Sequence, residues 1–239
     1  MAVNLFFVPH QDDEALTFGA AIRNHLDVEE ECHVILYTDG ATSNVRNQLN
    51  GEIPSGINKK KHDPEAEGYA FMEEEVFTKY RNDEFQRSCL ALGIPPTNIH
   101  YATNLMRDGA TTVRGCEDVI DEFLTRFPEA RVKTFTDLGG NHSDHAHMGM
   151  AARNLLKSGQ ITDLRMYVEP YNLSKAKEVS LGNPFHKEYS TANKQKVIDA
   201  LNEYKKWNPA MQQFAIGYHS VKKEINAAIA NPISYYHKP

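Results

Sequence analysis

Apolar runs of strand length alternate with helical stretches over residues 3–168, and this alternation restricts the fold more than any other feature of the chain. The runs are short and apolar enough for buried strands, whereas the stretches between them have helical spacing. Such alternation favours a mainly parallel sheet covered by helices on both faces. The strands are predicted at residues 3–8, 33–38, 99–102, 132–137 and 164–168, and the helices at residues 15–26, 73–92, 117–127 and 148–157.

The composition is that of a globular protein and argues against several kinds of partner. Apolar residues make up 41% and charged residues 24% of the 239 residues, which suits a single Rossmann-like α/β domain. A net charge of −6 argues against nucleic acid and gives no attraction to anionic lipid. No run approaches the roughly 20 apolar residues of a membrane span, and residues 1–8 lack a signal-peptide pattern, so a cytoplasmic protein is expected. Three cysteines without paired spacing argue against disulfides, and nothing in the sequence indicates an oligomeric state.

A polar turn directly follows the first predicted strand. Residues 9–14 read Pro-His-Gln-Asp-Asp-Glu, so one imidazole and three carboxylates crowd together where the proline ends the strand. Three adjacent acids repel one another, and a nearby cation is the natural reason to tolerate them. Taken alone, the acids could also be the acidic first turn of a helix.

A second polar cluster follows the predicted strand at residues 132–137. Gly139 and Gly140 break that strand, and residues 141–147 read Asn-His-Ser-Asp-His-Ala-His. Because the carboxyl ends of parallel strands share one edge of a sheet, the two clusters are expected to meet there. One imidazole and one carboxylate from the first cluster, with one imidazole from the second, would form a three-ligand site. Zinc hydrolases use such a set and leave the fourth position for water.

The two clusters together resemble the signatures of the zinc-dependent N-acetylglucosamine deacetylases of the PIG-L/LmbE type. The family pattern has proline where this chain has Gln11 and Ser143, which are linker positions in the two clusters. Weaker similarities lie between the clusters, at residues 38–40 (Thr-Asp-Gly), at Arg81 and at residues 107–109 (Arg-Asp-Gly). The resemblance covers roughly the first two thirds of the chain. It implies hydrolysis of the N-acetyl group of a small glucosaminyl conjugate, with release of acetate and a free amino sugar.

The resemblance also implies a role for each side chain in the clusters. It assigns His10, Asp13 and His145 to the metal ion, Asp12 to the general base, and His142 to an acid or oxyanion donor facing the scissile amide. The residue types alone do not decide which carboxylate binds the metal, because Asp12 and Asp13 are neighbours whose side chains diverge. Zinc is the expected ion, although two histidines and a carboxylate also accept Fe(II).

Four further residues are expected to support these roles. Asp144 is two residues from His142 and is expected to keep that ring charged. Glu14 is expected to orient a ligand or to favour the positive end of the next helix. Arg81 and Asp108 are expected to contact the substrate on the strength of the resemblance, whereas a helix face bearing Arg81 would otherwise be solvated.

Two regions outside the clusters interrupt the alternation. Residues 41–68 form a long polar insertion after the second strand, which is predicted to be either a lid or rim over the site or a mobile surface loop. Residues 169–239 form a looser region on the substrate side, with a helix predicted at residues 194–207. Residues 235–237 (Tyr-Tyr-His) are expected to be either disordered or a docked tail.

Aromatic and histidine side chains outside the clusters have less specific interpretations. Some aromatic rings of the last region could stack on a sugar or pack in the core, namely Tyr171, Trp207, Tyr218 and His219. His147 is expected on a helix face, where it competes with His145 as a ligand. The other histidines are expected to be ordinary surface or packed residues, namely His25, His33, His62, His100, His186 and His237.

Two other classes of function fit the same clusters. A phosphoesterase or a peptidase would use a metal-activated water in the same way, although such sites often need a second metal and more ligands. A catalytically silent sugar-binding domain is the second alternative, but a binder needs no base and Asp12 is present. No Gly-x-Gly-x-x-Gly motif follows a predicted strand, which argues against a dinucleotide cofactor.

Overall fold

The computed structural model describes residues 2–139, 142–180, 182, 184–190 and 192–239. Met1, Gly140 and Asn141, which entered the sequence argument, lie outside the described residues. Among the described residues, no helix has both the length and the apolar composition needed to cross a bilayer.

A seven-stranded, mostly parallel sheet lies at the centre of the described structure, in the order β3-β2-β1-β4-β5-β9-β6. The first five strands in this order are parallel, and β9 runs antiparallel to both of its neighbours. The strands are β1 (Val3–Val8), β2 (Glu31–Thr38), β3 (Ile99–Met106), β4 (Arg131–Phe135), β5 (Leu164–Val168), β6 (His186–Tyr189) and β9 (Ile233–His237), with a separate short ribbon of β7 (Trp207–Asn208) and β8 (Gln213–Phe214). The predicted α/β class and the five predicted strands are confirmed, with bounds that shift by a few residues.

Helices cover both faces of this sheet, as the alternation of the sequence predicts. Side chains of β1 alternate between two buried clusters, with Leu5 and Phe7 in one and Phe6 and Val8 in the other. Burial of each large apolar side chain stabilises the fold by about 1.5–3 kcal/mol, so β1 is anchored from both sides. The helices are α1 (Asp13–Leu16), α2 (Gly19–Asp27), α3 (Val45–Leu49), α4 (Glu74–Leu92), α5 (Val113–Arg126), α6 (Ser143–Lys157), α7 (Leu173–Val179), α8 (Lys194–Glu203) and α9 (Ile216–Ala230).

The single helix predicted at residues 15–26 is wrong in one respect, because the chain breaks it into α1 and α2. Phe18 lies at the break and is fully buried. Its ring packs edge-on against Phe6 and Phe135, with centroid separations of 5.6 and 4.9 Å. A helical hydrophobic pattern alone does not show that the ring of Phe18 inserts into the core and interrupts the helix.

The C-terminal part of the chain completes the sheet. Residues 235–237 are docked, since β9 lies between β5 and β6, and Ser234 Oγ accepts a hydrogen bond from the backbone N–H of Ala21 at 3.2 Å. The helix predicted at residues 194–207 ends at Glu203, and Trp207 belongs to the β7–β8 ribbon. The helix α9 has no counterpart in the sequence analysis.

The insertion at residues 41–68 packs against the body of the domain. Val45 and Leu49 of α3 are buried with Phe77 of α4 and with Phe214 and Ile216 next to the start of α9. The side-chain amide of Asn50 donates to the carbonyl of Met72 at 3.0 Å and accepts from its backbone N–H at 2.8 Å. These contacts place the start of the insertion beside the carboxyl edge of the parallel strands.

Candidate active site

The two sequence clusters meet at the carboxyl edge of the sheet. His10 and Asp12 lie between β1 and α1, and Asp13 is the first residue of α1. His142 directly precedes α6, and His145 lies in the first turn of that helix. Strands β1 and β4 are hydrogen-bonded neighbours, so their ends bring the two segments together. The ends of β3 and β5 add Asp108 and Glu169 to the same edge.

Three ligand-type atoms form a nearly equilateral triangle at this edge. His10 Nδ1 lies 3.3 Å from Asp13 Oδ2 and 3.3 Å from His145 Nε2, and the third side, from His145 Nε2 to Asp13 Oδ2, is 3.4 Å. Ligand atoms around a tetrahedral ion with bonds of about 2.0–2.1 Å are separated by about 3.3–3.4 Å. The three residues therefore fit one zinc-sized ion.

The ring nitrogens of His10 and His145 that are not part of the triangle face carboxylates. His10 Nε2 lies 3.3 Å from Asp108 Oδ1 and 3.2 Å from Asp144 Oδ2. His145 Nδ1 lies 3.0 Å from Glu169 Oε1, a close ionic contact rather than a well-aligned hydrogen bond. These carboxylates favour a proton on each outer nitrogen, so the inner nitrogens of neutral rings would present two lone pairs to each other across 3.3 Å. A cation between them removes that conflict, and carboxylates behind ligating histidines are the usual arrangement at metal sites.

A second set of potential ligands shares His10 with the triangle. His10, Asp108, His142 and Asp144 also offer atoms within 4.8 Å of one another. In this set, His142 Nδ1 already accepts the backbone N–H of Asp144 at 3.3 Å. The Asp144 carboxylate accepts from the Gly109 N–H at 2.8 Å and from Thr111 Oγ1 at 2.8 Å. The one lone pair of His142 Nδ1 is thus used, whereas Asp13 Oδ2 accepts the backbone N–H of His10 at 3.2 Å and keeps a second lone pair. The triangle of His10, Asp13 and His145 is therefore the better candidate metal site.

The ionisable groups of the triangle perturb one another strongly. Burial lowers the pKa of His145, but Asp13 and Glu169 outweigh burial and raise it to about 9. Burial also acts to lower the pKa of His10, yet the carboxylates of Asp108, Asp13 and Asp144 raise it well above its usual range. Burial alone would raise the pKa of Asp13, but the two imidazoles hold it far below its usual range. The cluster thus favours positive charge beside the ionised Asp13 carboxylate, which is supplied either by protons on the imidazoles or by a metal ion that displaces them.

Asp12 is held apart from the triangle by its backbone. Its φ of 144° lies in the region that L-residues rarely adopt, and its backbone N–H donates to Glu14 Oε2 at 3.2 Å. Glu14 is fully buried and accepts hydrogen bonds from Ser88 and Tyr204, at 2.5 and 2.7 Å. Through these hydrogen bonds Glu14 stabilises the strained turn at Asp12 rather than orienting a metal ligand. Burial and then the neighbouring Asp13 raise the pKa of Asp12 well above its usual range.

The contacts of His142 bear on the expectation that Asp144 keeps its ring charged. The Asp144 carboxylate lies 3.8 Å from His142 Nδ1 and is occupied by the segment at residues 109–111 and by His10. Burial and the neighbouring His10 lower the pKa of His142, although Asp144 acts in the opposite direction. Since Nδ1 accepts the Asp144 N–H, neutral His142 carries its proton on Nε2 and remains a hydrogen-bond donor.

Arg81 and Asp108 lie in the wall of a cavity of about 570 Å³ that opens onto the triangle. Arg81 is 5% exposed, donates to the carbonyl of Gly40, and lies 3.8 Å from Asp108 Oδ2, so it is not on a solvated helix face. Its Nε has no hydrogen-bond partner among the described residues. Burial raises the pKa of Asp108, but His10 and Arg81 outweigh burial and lower it to about 2. Both side chains are placed for contact with a ligand, which stays a prediction.

The cavity includes only part of the regions named from the sequence. The insertion contributes Ser43 and its two neighbours in the sequence, so its start forms one rim. Among the four aromatic candidates only Tyr171 lines this cavity, because Trp207, Tyr218 and His219 line a separate one. Outside the cluster, His147 Nδ1 pairs with Thr111 Oγ1 at 3.0 Å.

Glu169 and Tyr171 are functional candidates that the sequence analysis missed or left undecided. Glu169 is 2% exposed, follows β5 directly, and accepts hydrogen bonds from Tyr171 at 2.7 Å and from Asn172 at 3.0 Å. In the sequence, the only signal for Glu169 was its position as the first acidic residue after a predicted strand of the parallel sheet.

The fold and the cluster define a class of α/β protein with a two-histidine, one-carboxylate site at the carboxyl edge of a parallel sheet. The chain belongs to the PIG-L family, because the model of that family, described as GlcNAc-PI de-N-acetylase, matches residues 5–156. The match includes both clusters and stops before Glu169. No curated protein matches the chain.

Solved structures with similar folds carry more than one activity in their descriptions. A triple mutant of a deacetylase of the teicoplanin biosynthetic pathway is 17% identical, with a TM-score of 0.65 and coverage of 99% of this chain and 97% of that one. The N,N'-diacetylchitobiose deacetylase of Pyrococcus horikoshii is 15% identical, with a TM-score of 0.55 and coverage of 94% and 76%. The 4-carboxy-2-hydroxymuconate hydratase GalB of Pseudomonas putida KT2440 is also 15% identical, with a TM-score of 0.59 and coverage of 99% and 95%. At these identities the likeness shows the shared fold alone.

Proposed function

We propose that this protein is a metal-dependent N-deacetylase that hydrolyses the N-acetyl group of a small conjugate containing N-acetylglucosamine. The observation that carries the proposal is the triangle of His10, Asp13 and His145 with sides of 3.3–3.4 Å, beside a buried carboxylate, Asp12, that is not part of it. Membership of the PIG-L family and the deacetylases among proteins of similar fold support this choice of reaction.

The metal ion would be held by His10, Asp13 and His145, with zinc as the expected ion and Fe(II) as the alternative. When bound, such an ion supplies Lewis acidity that activates water as a nucleophile near neutral pH. Asp12, which is not part of the triangle, would accept the proton of the attacking water. The same carboxyl group would then return the proton to the departing amine, so the products are acetate and a free amino sugar.

His142 would donate the hydrogen on Nε2 to the acetyl oxygen as negative charge develops there. A single donor of this kind contributes about 3–4 kcal/mol to transition-state stabilisation. Because its Nδ1 accepts the Asp144 N–H, the ring can fill this role without a positive charge. The cavity of about 570 Å³ can hold a sugar ring, and its wall offers hydroxyl, amide and guanidinium groups to sugar hydroxyls.

The experiment that tests the proposal is acetate release from a panel of N-acetylglucosamine conjugates. Protein stripped of metal by a chelator should be inactive, and restoration of one equivalent of Zn(II) or Fe(II) should restore acetate release. N-propionyl and non-acetylated analogues of the best substrate serve as controls for the acyl group. Metal-loaded protein that binds the conjugates but releases no acetate would instead support a silent sugar-binding domain.

A hydratase is the second candidate, because GalB has a similar fold over nearly all of this chain. In that reaction, water would add to a carbon–carbon double bond, and Asp12 would again be the proton acceptor. Loss of the ultraviolet absorbance of an unsaturated hydroxy acid, without release of acetate from any amide, would favour this candidate. A phosphoesterase or peptidase reaction would be recognised by release of phosphate or of a peptide amine in the same assays.

A further inference from the structure

Two histidines far from the triangle face each other across a second cavity. His62 belongs to the insertion at residues 41–68, and His219 lies in the first turn of α9. Their Nε2 atoms are 3.0 Å apart, and both rings line a cavity of about 580 Å³. His219 is 4% exposed, and the side chain of His62 is 9% exposed, so the pair is largely withdrawn from bulk water.

The far side of each ring is already paired with an acceptor. His62 Nδ1 lies 2.9 Å from Glu67 Oε2, and His219 Nδ1 lies 2.8 Å from the carbonyl oxygen of Ala215. A carbonyl oxygen and an ionised carboxylate can only accept, so each Nδ1 carries a hydrogen. In neutral rings both Nε2 atoms then present lone pairs to each other at 3.0 Å. A cation between them is needed, either a metal ion or an additional proton.

A third histidine pair among the described residues, also away from the triangle, lacks this conflict. His33 Nδ1 lies 2.8 Å from His100 Nε2, while His33 Nε2 lies 3.0 Å from Glu31. Among the described residues, Nδ1 of His100 has no hydrogen-bond partner, so that ring can carry its hydrogen on Nε2 and donate it to His33. Two neutral rings therefore satisfy the contact, and this pair is a matched control for the first one.

We propose that His62 and His219 bind one divalent transition-metal ion through their Nε2 atoms, at a site separate from the triangle. With bonds of about 2.0–2.1 Å, nitrogens 3.0 Å apart subtend an angle of about 94° at the ion. Such an angle suits Ni(II), Cu(II) or a distorted zinc site whose remaining ligands are water molecules from the adjoining cavity. Glu67 and the Ala215 carbonyl fix the ring orientations from behind, as outer partners of ligating histidines do.

The surroundings of the pair favour a neutral ring at His219 and a fixed ring orientation at His62, which both suit metal ligands. Burial lowers the pKa of His219 to about 4, which keeps that ring neutral and able to coordinate. Trp207 stacks on His62 with a centroid separation of 4.9 Å and an interplanar angle of 25°, which restricts the ring. The charges on the same cavity are the carboxylate of Glu67 and three exposed lysines that solvent screens, namely Lys60, Lys61 and Lys205.

An ion at this position would join the insertion to α9. The two residues after His219, Ser220 and Val221, line the cavity that opens onto the triangle. The insertion contributes Ser43 and its neighbours to the wall of the same cavity. Occupancy of the histidine pair would thus hold two walls of the reaction cavity together, while the inference itself does not depend on the reaction performed there.

Zinc stoichiometry in the His10→Ala background tests this site. The substitution removes the triangle, so the zinc that remains after dialysis and elemental analysis near neutral pH reports on the second site alone. We expect one zinc ion per chain in His10→Ala, none after His219→Gln or His62→Gln is added, and one after His100→Gln is added. Zinc should also raise the melting temperature of His10→Ala and not that of the two depleted variants.

The two single substitutions protect the test against a variant that does not fold. If His219→Gln loses its helical circular dichroism, His62→Gln on the exposed insertion provides the same measurement. Failure of zinc to bind to His10→Ala would overturn the proposal. Nitrogen NMR would then be expected to show His62 protonated on both nitrogens, with an additional proton filling the gap. Because no readout is acetate release, failure of this proposal is distinguishable from failure of the proposed deacetylase activity.

Discussion

Replacement of Glu169 by glutamine should weaken metal binding at the triangle without removing a ligand. Glu169 Oε1 lies 3.0 Å from His145 Nδ1, and the pair is almost completely buried. Two unit charges at this distance interact by about 5 kcal/mol at an effective dielectric constant near 20. A metal-bound imidazole carries only part of a unit charge, so the loss is smaller than this. Mutation of such an outer carboxylate typically costs about 10–100-fold in metal affinity, equivalent to about 1.4–2.7 kcal/mol.

The assay is competition between the protein and a chelator of known zinc affinity. Glu188→Gln is a matched control, since Glu188 is also a part-buried carboxylate that accepts a hydrogen bond from a tyrosine, Tyr167 at 2.9 Å. Its ionic partner, however, is Arg165 rather than a histidine of the site. A dissociation constant for Glu169→Gln within twofold of that of the control would refute the reasoning, and His145 would then not depend on the carboxylate behind it.

Three further predictions concern the base, a buried cation and a close helix contact. Asp12→Asn should retain its metal, because Asp12 lies outside the triangle, while turnover falls by about 10²–10⁴. Elemental analysis measures the metal content and steady-state kinetics the turnover. Near-normal turnover would show that Asp12 is not the base. Lys133 is fully buried, and burial lowers its pKa from 10.5 to about 8. Below pH 8 the buried charged form destabilises the folded state, and this loss of stability disappears as the pH rises to 10.5. Lys133→Met should therefore be more stable than the parent by about 3 kcal/mol at neutral pH. Urea titrations should show this difference shrinking between pH 8 and 10.5, and a constant difference would contradict the lowered pKa of Lys133. Gly149→Ala would place Cβ 2.7 Å from the backbone N of Asp137 and 2.8 Å from the carbonyl oxygen of Phe135, so it should cost about 1–3 kcal/mol and shift α6 with His145, to be measured as a lower urea midpoint and weaker zinc binding.

The parts of the site that follow strands within the parallel repeat could be predicted from the sequence. A strand followed by a polar turn places its side chains at the carboxyl edge whatever the tertiary details, so His10, Asp13 and His145 were expected near one another. The helix predicted at residues 15–26 illustrates the limit of that reasoning. Its apolar spacing continues through Phe18, and only packing against Phe6 and Phe135 decides that the helix breaks there.

Contacts between distant segments could not be predicted in the same way. His62 and His219 are 157 positions apart, and neither is embedded in a motif. His62 was therefore expected to be an ordinary residue, and His219 to stack on a sugar or pack in the core. The charged form expected for His142 was inferred from its spacing to Asp144. In the folded chain the Asp144 carboxylate accepts hydrogen bonds from Gly109 and Thr111. Such competition for one acceptor is visible only when the segment after β3 meets the first turn of α6.

The position of β9 sets the order in which this domain can be assembled during synthesis. In the described structure β6 joins the sheet only through β9, whose residues are made more than forty positions later. Until residues 233–237 emerge from the ribosome, β5 has an open edge, and His237 cannot reach Thr136, which it contacts at 2.8 Å in the segment leading towards the second cluster. The nascent chain can therefore form the five parallel strands early, whereas the side of the sheet next to β5 is completed only by a segment made more than sixty positions after β5.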